Sequence, residues 1–148
     1  MPAGGKRNII NFYNMDKYNK IHLWIGTTFK EEFSYQKYFE LDYSTEGDLE
    51  SPLYKICDFC KDIGQLWYDQ DFIGIIPRFE KEIPLDSILQ YSSIHISEWE
   101  KIKDICKTVY NISKANALFW YADADLEIPK PYKIEYNGLK YIGIFEGD

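Results

Sequence analysis

The chain has 148 residues, of which 45% are apolar, 18% aromatic and 28% charged; this composition fits one globular domain and excludes a disordered, collagen-like or low-complexity protein. Its 17 basic and 24 acidic side chains leave a net charge of −7, so its long-range field repels nucleic-acid backbones and anionic membrane surfaces. The same field attracts a basic protein, and the 13 tyrosines suit a recognition surface.

Cysteine content and hydropathy predict the cellular compartment. Cys57, Cys60 and Cys106 form an odd set in a chain without a secretory signal, so we expect free thiols and no disulfide framework. No apolar run approaches the ~18 residues that a membrane span requires. The sequence therefore predicts a soluble protein of the reducing cytoplasm.

The N-terminal stretch, residues 1–19, shows no sustained periodicity. This predicts a flexible tail ahead of a single α+β domain over residues 20–148. Met15 stands just before the first predicted strand and is a candidate translation start. With that start, residues 1–14 would not belong to the native protein.

The first predicted strand and helix follow this stretch. Apolar residues alternate through Lys20–Gly26, which is the period-two pattern of a strand. Thr27 or Thr28 then caps a predicted helix that runs to about Leu41. Glu31 falls in its first turn, where the helix dipole favours negative charge.

An acidic loop and a second helix come next. Residues 40–50 contain no base and five acids, which are Glu40, Asp42, Glu46, Asp48 and Glu50. Ser51 and Pro52 have the pattern of an N-cap with proline at the first helical position, and Gly64 is typical of a helix end. The apolar face of this predicted helix consists of Leu53, Ile56, Cys60 and Ile63.

The middle of the chain predicts a strand and two more helices. Phe72–Ile76 is too short and too β-branched for a helix, so we expect a buried central strand. A short helix over Leu85–Gln90 follows Pro84. Ser97 and Glu100 then form the pattern of a capping box, and the helix behind it has an apolar face made of Trp99, Ile102, Cys106 and Val109.

The C-terminal third predicts the remaining strands. Ala117–Ala122 is a second buried strand, and the pair Asn137-Gly138 predicts a two-residue type I′ turn. The hairpin should span Tyr132–Phe145, with Glu135 opposite Lys140 and Ile134 opposite Tyr141. The predicted fold is α+β, with a four- to five-stranded, mostly antiparallel sheet, helices packed on one face and a C-terminal β-hairpin.

Motifs that carry chemistry are weak in this sequence. Cys57 and Cys60 have the spacing of redox and zinc sites, but the predicted helix places them in its middle on an apolar face, which favours core packing. His22 and His95 have no metal-binding spacing. No phosphate-binding loop or nucleophile elbow occurs, so we predict neither catalytic residues nor a cofactor or metal.

Two acidic groups follow two aromatic pairs. Asp69 and Asp71 come after Trp67-Tyr68, and a second group after Trp120-Tyr121 consists of Asp123, Asp125 and Glu127. They lack the glycine and distal glutamate of a calcium loop. They are therefore solvated loops, a carboxylate-based or metal-assisted hydrolase site, or a surface that binds a partner.

Several phrases together resemble the Immunity protein 22 family, over about residues 20–125. The phrases are His22–Gly26, Tyr38–Tyr43, Phe59–Gly64, Trp67–Asp69 and Asn116–Tyr121. The resemblance implies a small α+β domain that accompanies a polymorphic or contact-dependent bacterial toxin. It also implies a cytoplasmic antidote that binds one toxin domain and is not an enzyme.

An acidic inhibitor fits a basic, nuclease-like toxin, because such toxins bind phosphates with Lys and Arg. We expect the acids at strand ends and their aromatic neighbours to contact it. The candidates are Asp69, Asp71, Asp123, Asp125 and Glu127, then Asp42, Glu46 and Asp48 of the acidic loop, and Trp67, Tyr68, Trp120 and Tyr121 as anchors. The alternatives are the hydrolase and an intracellular interaction module without a toxin.

Overall fold

The computed structural model describes residues 16–148, which contain four helices and six strands. The helices are α1 Glu32–Lys37, α2 Asp58–Ile63, α3 Leu85–Leu89 and α4 Trp99–Tyr110. The strands are β1 Lys20–Gly26, β2 Ile73–Ile76, β3 Ile83–Pro84, β4 Lys114–Ala115, β5 Ala117–Ala122 and β6 Lys140–Glu146. The predicted α+β class is confirmed.

The main sheet has four antiparallel strands in the order β2-β5-β1-β6, and β3 and β4 form a small second sheet. β1 and β5 occupy its centre because their long apolar runs can be buried on both faces. The prediction that Phe72–Ile76 is a central strand is wrong. β2 begins at Ile73 and, within residues 16–148, pairs with β5 alone and lies at the edge of the sheet.

The sheet carries an apolar core on each face. On one face, Trp24 stacks on Phe119 with ring centroids 4.8 Å apart, and α1 and α2 cover this pair. On the other face, Leu23 and Leu118 pack against α3 and α4. The helices therefore lie on both faces of the sheet, and the prediction that they pack on one face is wrong. Every residue from Ile21 to Gly26 is buried, so both faces of the sheet must be covered.

Two helices begin later than predicted. α1 starts after Glu31, and the Thr28 hydroxyl instead accepts a hydrogen bond from the backbone N–H of Lys30 at 3.2 Å, just ahead of it. α2 starts after Cys57 and not at Ser51, and it ends as expected at Gly64, where φ is +72°. The start at Cys57 changes the interpretation of the cysteine pair.

The helices of the second face agree with the prediction apart from one cap. α3 and α4 are present, but Ser97 does not form the expected capping box with Glu100. Instead, the His95 side chain accepts a hydrogen bond from the Ser97 backbone N–H at 3.1 Å, which opens a short 3₁₀ turn before α4. A local side-chain bond of this kind competes with the helical cap.

The C-terminal turn is confirmed, but its first arm is not a strand. Asn137 and Gly138 have φ of +56° and +90°, as a type I′ turn requires. Only Tyr136 and Leu139 pair across this turn, so the predicted pairs Glu135–Lys140 and Ile134–Tyr141 are wrong. The fully buried Tyr136 packs against Trp24, which draws the first arm out of the sheet.

The predicted flexible tail and the start at Met15 fall mostly on residues 1–15, which lie outside the described residues. Of the remainder, Tyr18 stacks on Phe72 with centroids 3.6 Å apart, and the backbone carbonyl of Lys17 accepts a hydrogen bond from Ala124. In the described range, no helix has the length and apolar character that crossing a bilayer demands.

Candidate partner-binding site

The strand directions bring several acidic segments to one end of the main sheet. β1 and β2 begin where β5 and β6 end, because β5 and β6 run antiparallel to β1 and β2 is antiparallel to β5. We call this region the acidic sheet end. Its acids are Asp69, Asp71, Asp123, Asp125, Glu127 and Glu146.

A hydrogen bond joins the two predicted acidic groups. The backbone N–H of Asp69 donates to the Tyr121 hydroxyl at 2.9 Å, and Tyr121 lies two residues before Asp123. Burial raises the pKa of Tyr121, so its hydroxyl stays neutral. The groups that follow Trp67-Tyr68 and Trp120-Tyr121 are thus neighbours in the structure.

Each acidic group is built on the same kind of turn. Asp69 Oδ1 accepts from the Asp71 N–H at 3.0 Å, and Asp123 Oδ1 accepts from the Asp125 N–H at 2.9 Å. The first aspartate of each pair therefore holds the turn. Asp71 and Asp125 are exposed, so their carboxylates are the ones presented to solvent.

Two lysines lie among these acids. Lys17 Nζ is 3.9 Å from Asp123 Oδ1 and 4.0 Å from Asp125 Oδ2, and Lys20 pairs with Glu146. These pairs are at least partly exposed and contribute little to stability. Sequence reasoning missed them because Lys17 and Lys20 precede or begin β1, far along the chain from the acids they meet.

The acidic loop, residues 40–50, reaches the same region through a tyrosine. The Tyr43 hydroxyl donates to Gln70 Oε1 at 2.5 Å, and Gln70 lies between Asp69 and Asp71. Asp42 accepts from the backbone N–H groups of Ser44 and Lys55, each at 2.9 Å, and its hydrogen bonds from these two residues lower its pKa.

The other two candidate acids of the loop, Glu46 and Asp48, are exposed. Asp48 Oδ1 accepts from the Glu50 N–H at 3.1 Å, whereas Glu46 lies at an exposed turn with φ of +55°. Asp42 and Asp48 therefore shape the loop, and Glu46 extends from its tip.

Only one of the four aromatic candidates is well exposed. Trp67 is 47% exposed, whereas Tyr68 and Tyr121 are buried. The Tyr68 hydroxyl donates to the Phe39 carbonyl at 2.5 Å, and burial raises its pKa. Trp120 is half-buried and lies across Gly74. Trp67 can contact a partner directly, while the other three support the sheet from within.

A surface cleft of about 560 Å³ opens beside Glu127 and is lined by His22, Tyr132, Tyr141 and Ile144 among others. The Asp123 carbonyl can only accept, so His22 Nε2 donates to it at 3.0 Å and Nδ1 accepts from the Tyr141 hydroxyl at 2.7 Å. Burial lowers the pKa of His22, which favours this neutral ring.

Sequence reasoning did not find this cleft. Its outer wall comes from residues 126–132, which have no periodic pattern. No sequence signal pointed to the cleft, because Ile144 comes to lie opposite His22 only through the pairing of β1 with the edge strand β6. Among residues 16–148, no three His, Cys, Asp or Glu side chains are grouped so that they could hold a metal ion.

Comparison with known proteins decides the family. The family model described as Immunity protein 22 matches residues 21–147. The chain belongs to the Immunity protein 22 family. No curated protein and no solved structure matches it.

Membership in the Immunity protein 22 family suggests a toxin-neutralising role and the binding of a cognate toxin. It also suggests inhibition rather than catalysis. For such a protein, the acidic sheet end offers exposed carboxylates, one half-exposed tryptophan and an adjacent cleft lined by both polar and apolar side chains. These are the components of an interface with an anchor and a charged rim.

Proposed function

We propose that this chain binds a basic, nuclease-like toxin domain in the cytoplasm and neutralises it by covering its phosphate-binding surface with the acidic sheet end. The observation that carries the proposal is the hydrogen bond from Asp69 to Tyr121. This bond supports the proposal because it makes neighbours of two acidic groups that are separated in sequence. Family membership supplies the toxin-neutralising role.

Charge complementarity would guide the association. A nuclease holds phosphates with Lys and Arg, so carboxylates on a rigid surface can occupy the same positions. Opposite fields raise association rates up to ~10⁸–10⁹ M⁻¹s⁻¹ at low salt. Fast capture suits an antidote, because a nuclease that enters the cytoplasm must be stopped before it cleaves nucleic acid.

The residues take two roles in this proposal. The exposed side chains of Asp71, Asp125, Glu127 and Trp67 contact the toxin, and Glu46 extends the surface through the acidic loop. The remaining candidates hold that surface in shape through the hydrogen bonds and packing described above; they are Asp42, Asp48, Asp69, Asp123, Tyr68, Trp120 and Tyr121. No step of catalysis is needed, since occupation of the toxin is sufficient.

The toxin itself would come from a polymorphic or contact-dependent system. We expect a gene adjacent to that of this chain to encode a large secreted protein with a C-terminal toxin domain. A metabolic operon in that place would contradict the proposal.

The direct test measures binding of that toxin domain by purified variants. Asp71→Asn with Asp125→Asn removes two charges and keeps side-chain size, so we expect an association rate at least about tenfold lower at low salt. The matched control is Glu82→Gln with Glu135→Gln. Both residues lie away from the acidic sheet end. Glu82 accepts a hydrogen bond from Thr27, at the opposite end of the sheet. Glu135 precedes the Asn137-Gly138 turn, and Leu139, just after that turn, lies against Gly26 at that same opposite end.

The two pairs of variants separate the possible results. If the control pair binds like the wild type and the aspartate pair binds slowly, the acidic sheet end is the interface. Equal effects of both pairs would show that only net charge matters. Absence of any binding or protection by the wild type would reject the toxin-neutralising role itself.

A further inference from the structure

The cysteine pair Cys57 and Cys60 lies at a helix start, although the sequence had placed it inside a longer helix. Cys57 is the N-cap of α2, and its Sγ accepts a hydrogen bond from the Cys60 backbone N–H at 3.3 Å. Cys60 is therefore the third residue of the helix, one turn from Cys57. This geometry removes the reason for interpreting both residues as core packing alone.

The spacing of the two cysteines at the start of α2 is compatible with a disulfide between them. Residues one helical turn apart are neighbours, and a disulfide requires Cα atoms ~4.4–6.8 Å apart. Cys57 Sγ lies over the same turn that carries Cys60, as its bond to the Cys60 N–H shows. Both thiols are free, so the structure is the reduced form of the pair.

Both cysteines are buried, but Cys57 keeps 7% of its surface exposed whereas Cys60 keeps none. Cys57 lines a surface cleft of about 640 Å³ together with Asp42, Lys55 and Asp58. Cys60 is fully buried behind it, next to Phe59 in the core of that face. A reagent in the cleft can therefore reach Cys57 first, and Cys60 can be reached only through Cys57.

The ionisation of the pair follows the same order. Hydrogen bonds from Cys60 lower the pKa of Cys57 below that of an ordinary thiol. The same contact and burial raise the pKa of Cys60. Cys106, fully buried in the opposite core, has its pKa raised to about 12 by burial. The thiolate is the reactive form of a cysteine, and among the three cysteines Cys57 is the one whose pKa is shifted toward it.

We propose that Cys57 and Cys60 are a thiol–disulfide exchange site, in which Cys57 reacts with low-molecular-weight disulfides and Cys60 completes an internal disulfide. The Cys57 thiolate attacks one sulfur of the reagent R–S–S–R, which forms a Cys57–S–S–R bond and releases R–S⁻, which takes up a proton. Cys60 then loses its proton and attacks Cys57 Sγ, which releases the second R–SH. Two protein thiols are oxidised and one reagent disulfide is reduced to two thiols.

This inference does not depend on the proposed function, and its test uses the free protein without a toxin. Folded protein is incubated at neutral pH with 2-hydroxyethyl disulfide, which is uncharged and so is not repelled by an acidic chain. The reaction is quenched with acid, remaining thiols are alkylated after unfolding, and the products are mapped by peptide mass spectrometry.

The wild type is expected to yield a Cys57–Cys60 disulfide with Cys106 free. Cys60→Ser should stop at the mixed disulfide on Cys57, and Cys57→Ser should react at least about tenfold more slowly. Cys106→Ser is the matched control and should behave as the wild type. Circular dichroism reports whether each variant is folded.

Three outcomes would overturn the proposal. The first is folded wild type that does not react, and the second is wild type that accumulates only the mixed disulfide. The third is a Cys57→Ser variant that reacts as fast as the wild type. The wild-type mapping requires no substitution, so the proposal can be rejected even if a variant does not fold.

Discussion

The backbone N–H of Asp69 donates a hydrogen bond to the hydroxyl of Tyr121 at 2.9 Å, across 52 positions of sequence. Tyr121 lies in the central strand β5, opposite Ile73 of the edge strand β2. The bond therefore fixes the turn before β2 against the end of β5. It adds to the strand pairing of Ile73 with Tyr121, so the segments that carry Asp71 and Asp125 are tied together at two points.

Replacing Tyr121 by Phe tests this bond. The substitution leaves a partly buried N–H without its partner, so we expect the free energy of unfolding to fall by about 1 kcal/mol. Urea denaturation measures this loss. Tyr43→Phe is the control, because its bond to Gln70 is exposed and should change stability by less than about 0.5 kcal/mol. Equal losses in both variants would contradict a structural role for Tyr121.

The salt dependence of toxin association tests the electrostatic part of the proposed function. Raising ionic strength from about 0.01 to 0.15 M shortens the Debye length from ~30 to ~8 Å, so the wild-type association rate should fall. Stopped-flow measurements should give a shallower salt dependence for Asp71→Asn with Asp125→Asn. The pair Glu82→Gln with Glu135→Gln should keep the wild-type slope, and identical slopes in all three proteins would argue against steering by the acidic sheet end.

Gly74 tests the packing of Trp120 on the edge strand. A Cβ at position 74 would lie 2.0 Å from the Trp120 ring, so Gly74→Ala should destabilise the protein by about 1–3 kcal/mol. The overlapping atoms belong to the six-membered ring, which Trp120→Leu removes. In the Trp120→Leu background, Gly74→Ala should lower the free energy of unfolding much less. A double-mutant cycle by urea denaturation measures the coupling between positions 74 and 120. Additive effects would contradict the contact.

The stability of the protein should decrease as the pH falls below about 6.5 because of His22. Burial lowers the pKa of His22 below its ordinary 6.5, so the unfolded chain binds a proton there before the folded chain does. The contribution of the neutral His22 ring to the free energy of unfolding is complete above pH 6.5. It is lost as the pH falls toward the lowered pKa of His22 in the folded protein.

The measurement compares unfolding free energies between about pH 5 and 7, a window that contains the ordinary histidine range. His22→Gln should reduce the slope by up to about 1.4 kcal/mol per pH unit, whatever its effect on absolute stability. His95→Gln removes the other, exposed histidine and serves as the control. An unchanged slope in His22→Gln would show that His22 is not the titrating group.

Local patterns in the sequence predicted several elements at nearly their observed bounds. β1 and β5, α3, α4 and the Asn137-Gly138 turn all agree, because alternation, helical periodicity and turn chemistry depend on neighbours in the chain. The start of α2 could not be predicted in this way. Ser51 and Pro52 carry a valid helix-start pattern, but Cys57 takes the N-cap because Phe59, Cys60 and Ile63 must be buried against the sheet.

The candidate site was predictable only in part. The sequence identified the aspartates that follow the aromatic pairs, but it treated Trp67 and Tyr68 alike. The structure separates them, with Trp67 at the surface and Tyr68 in the core. The cleft beside Glu127 was not predictable, since it depends on the packing of an irregular segment against His22.

By itself, the sequence determined an acidic α+β protein with clusters of acids after aromatic pairs and the phrases of its family, because composition and short-range spacing are properties of the chain alone. Only the tertiary structure decided which acidic groups are neighbours and which cysteine lines a surface cleft. Both depend on long-range burial. The two apolar faces of β1 and β5 must each be covered, and the strand order that achieves this places Asp69 beside Tyr121 and Cys57 at the edge of a cleft.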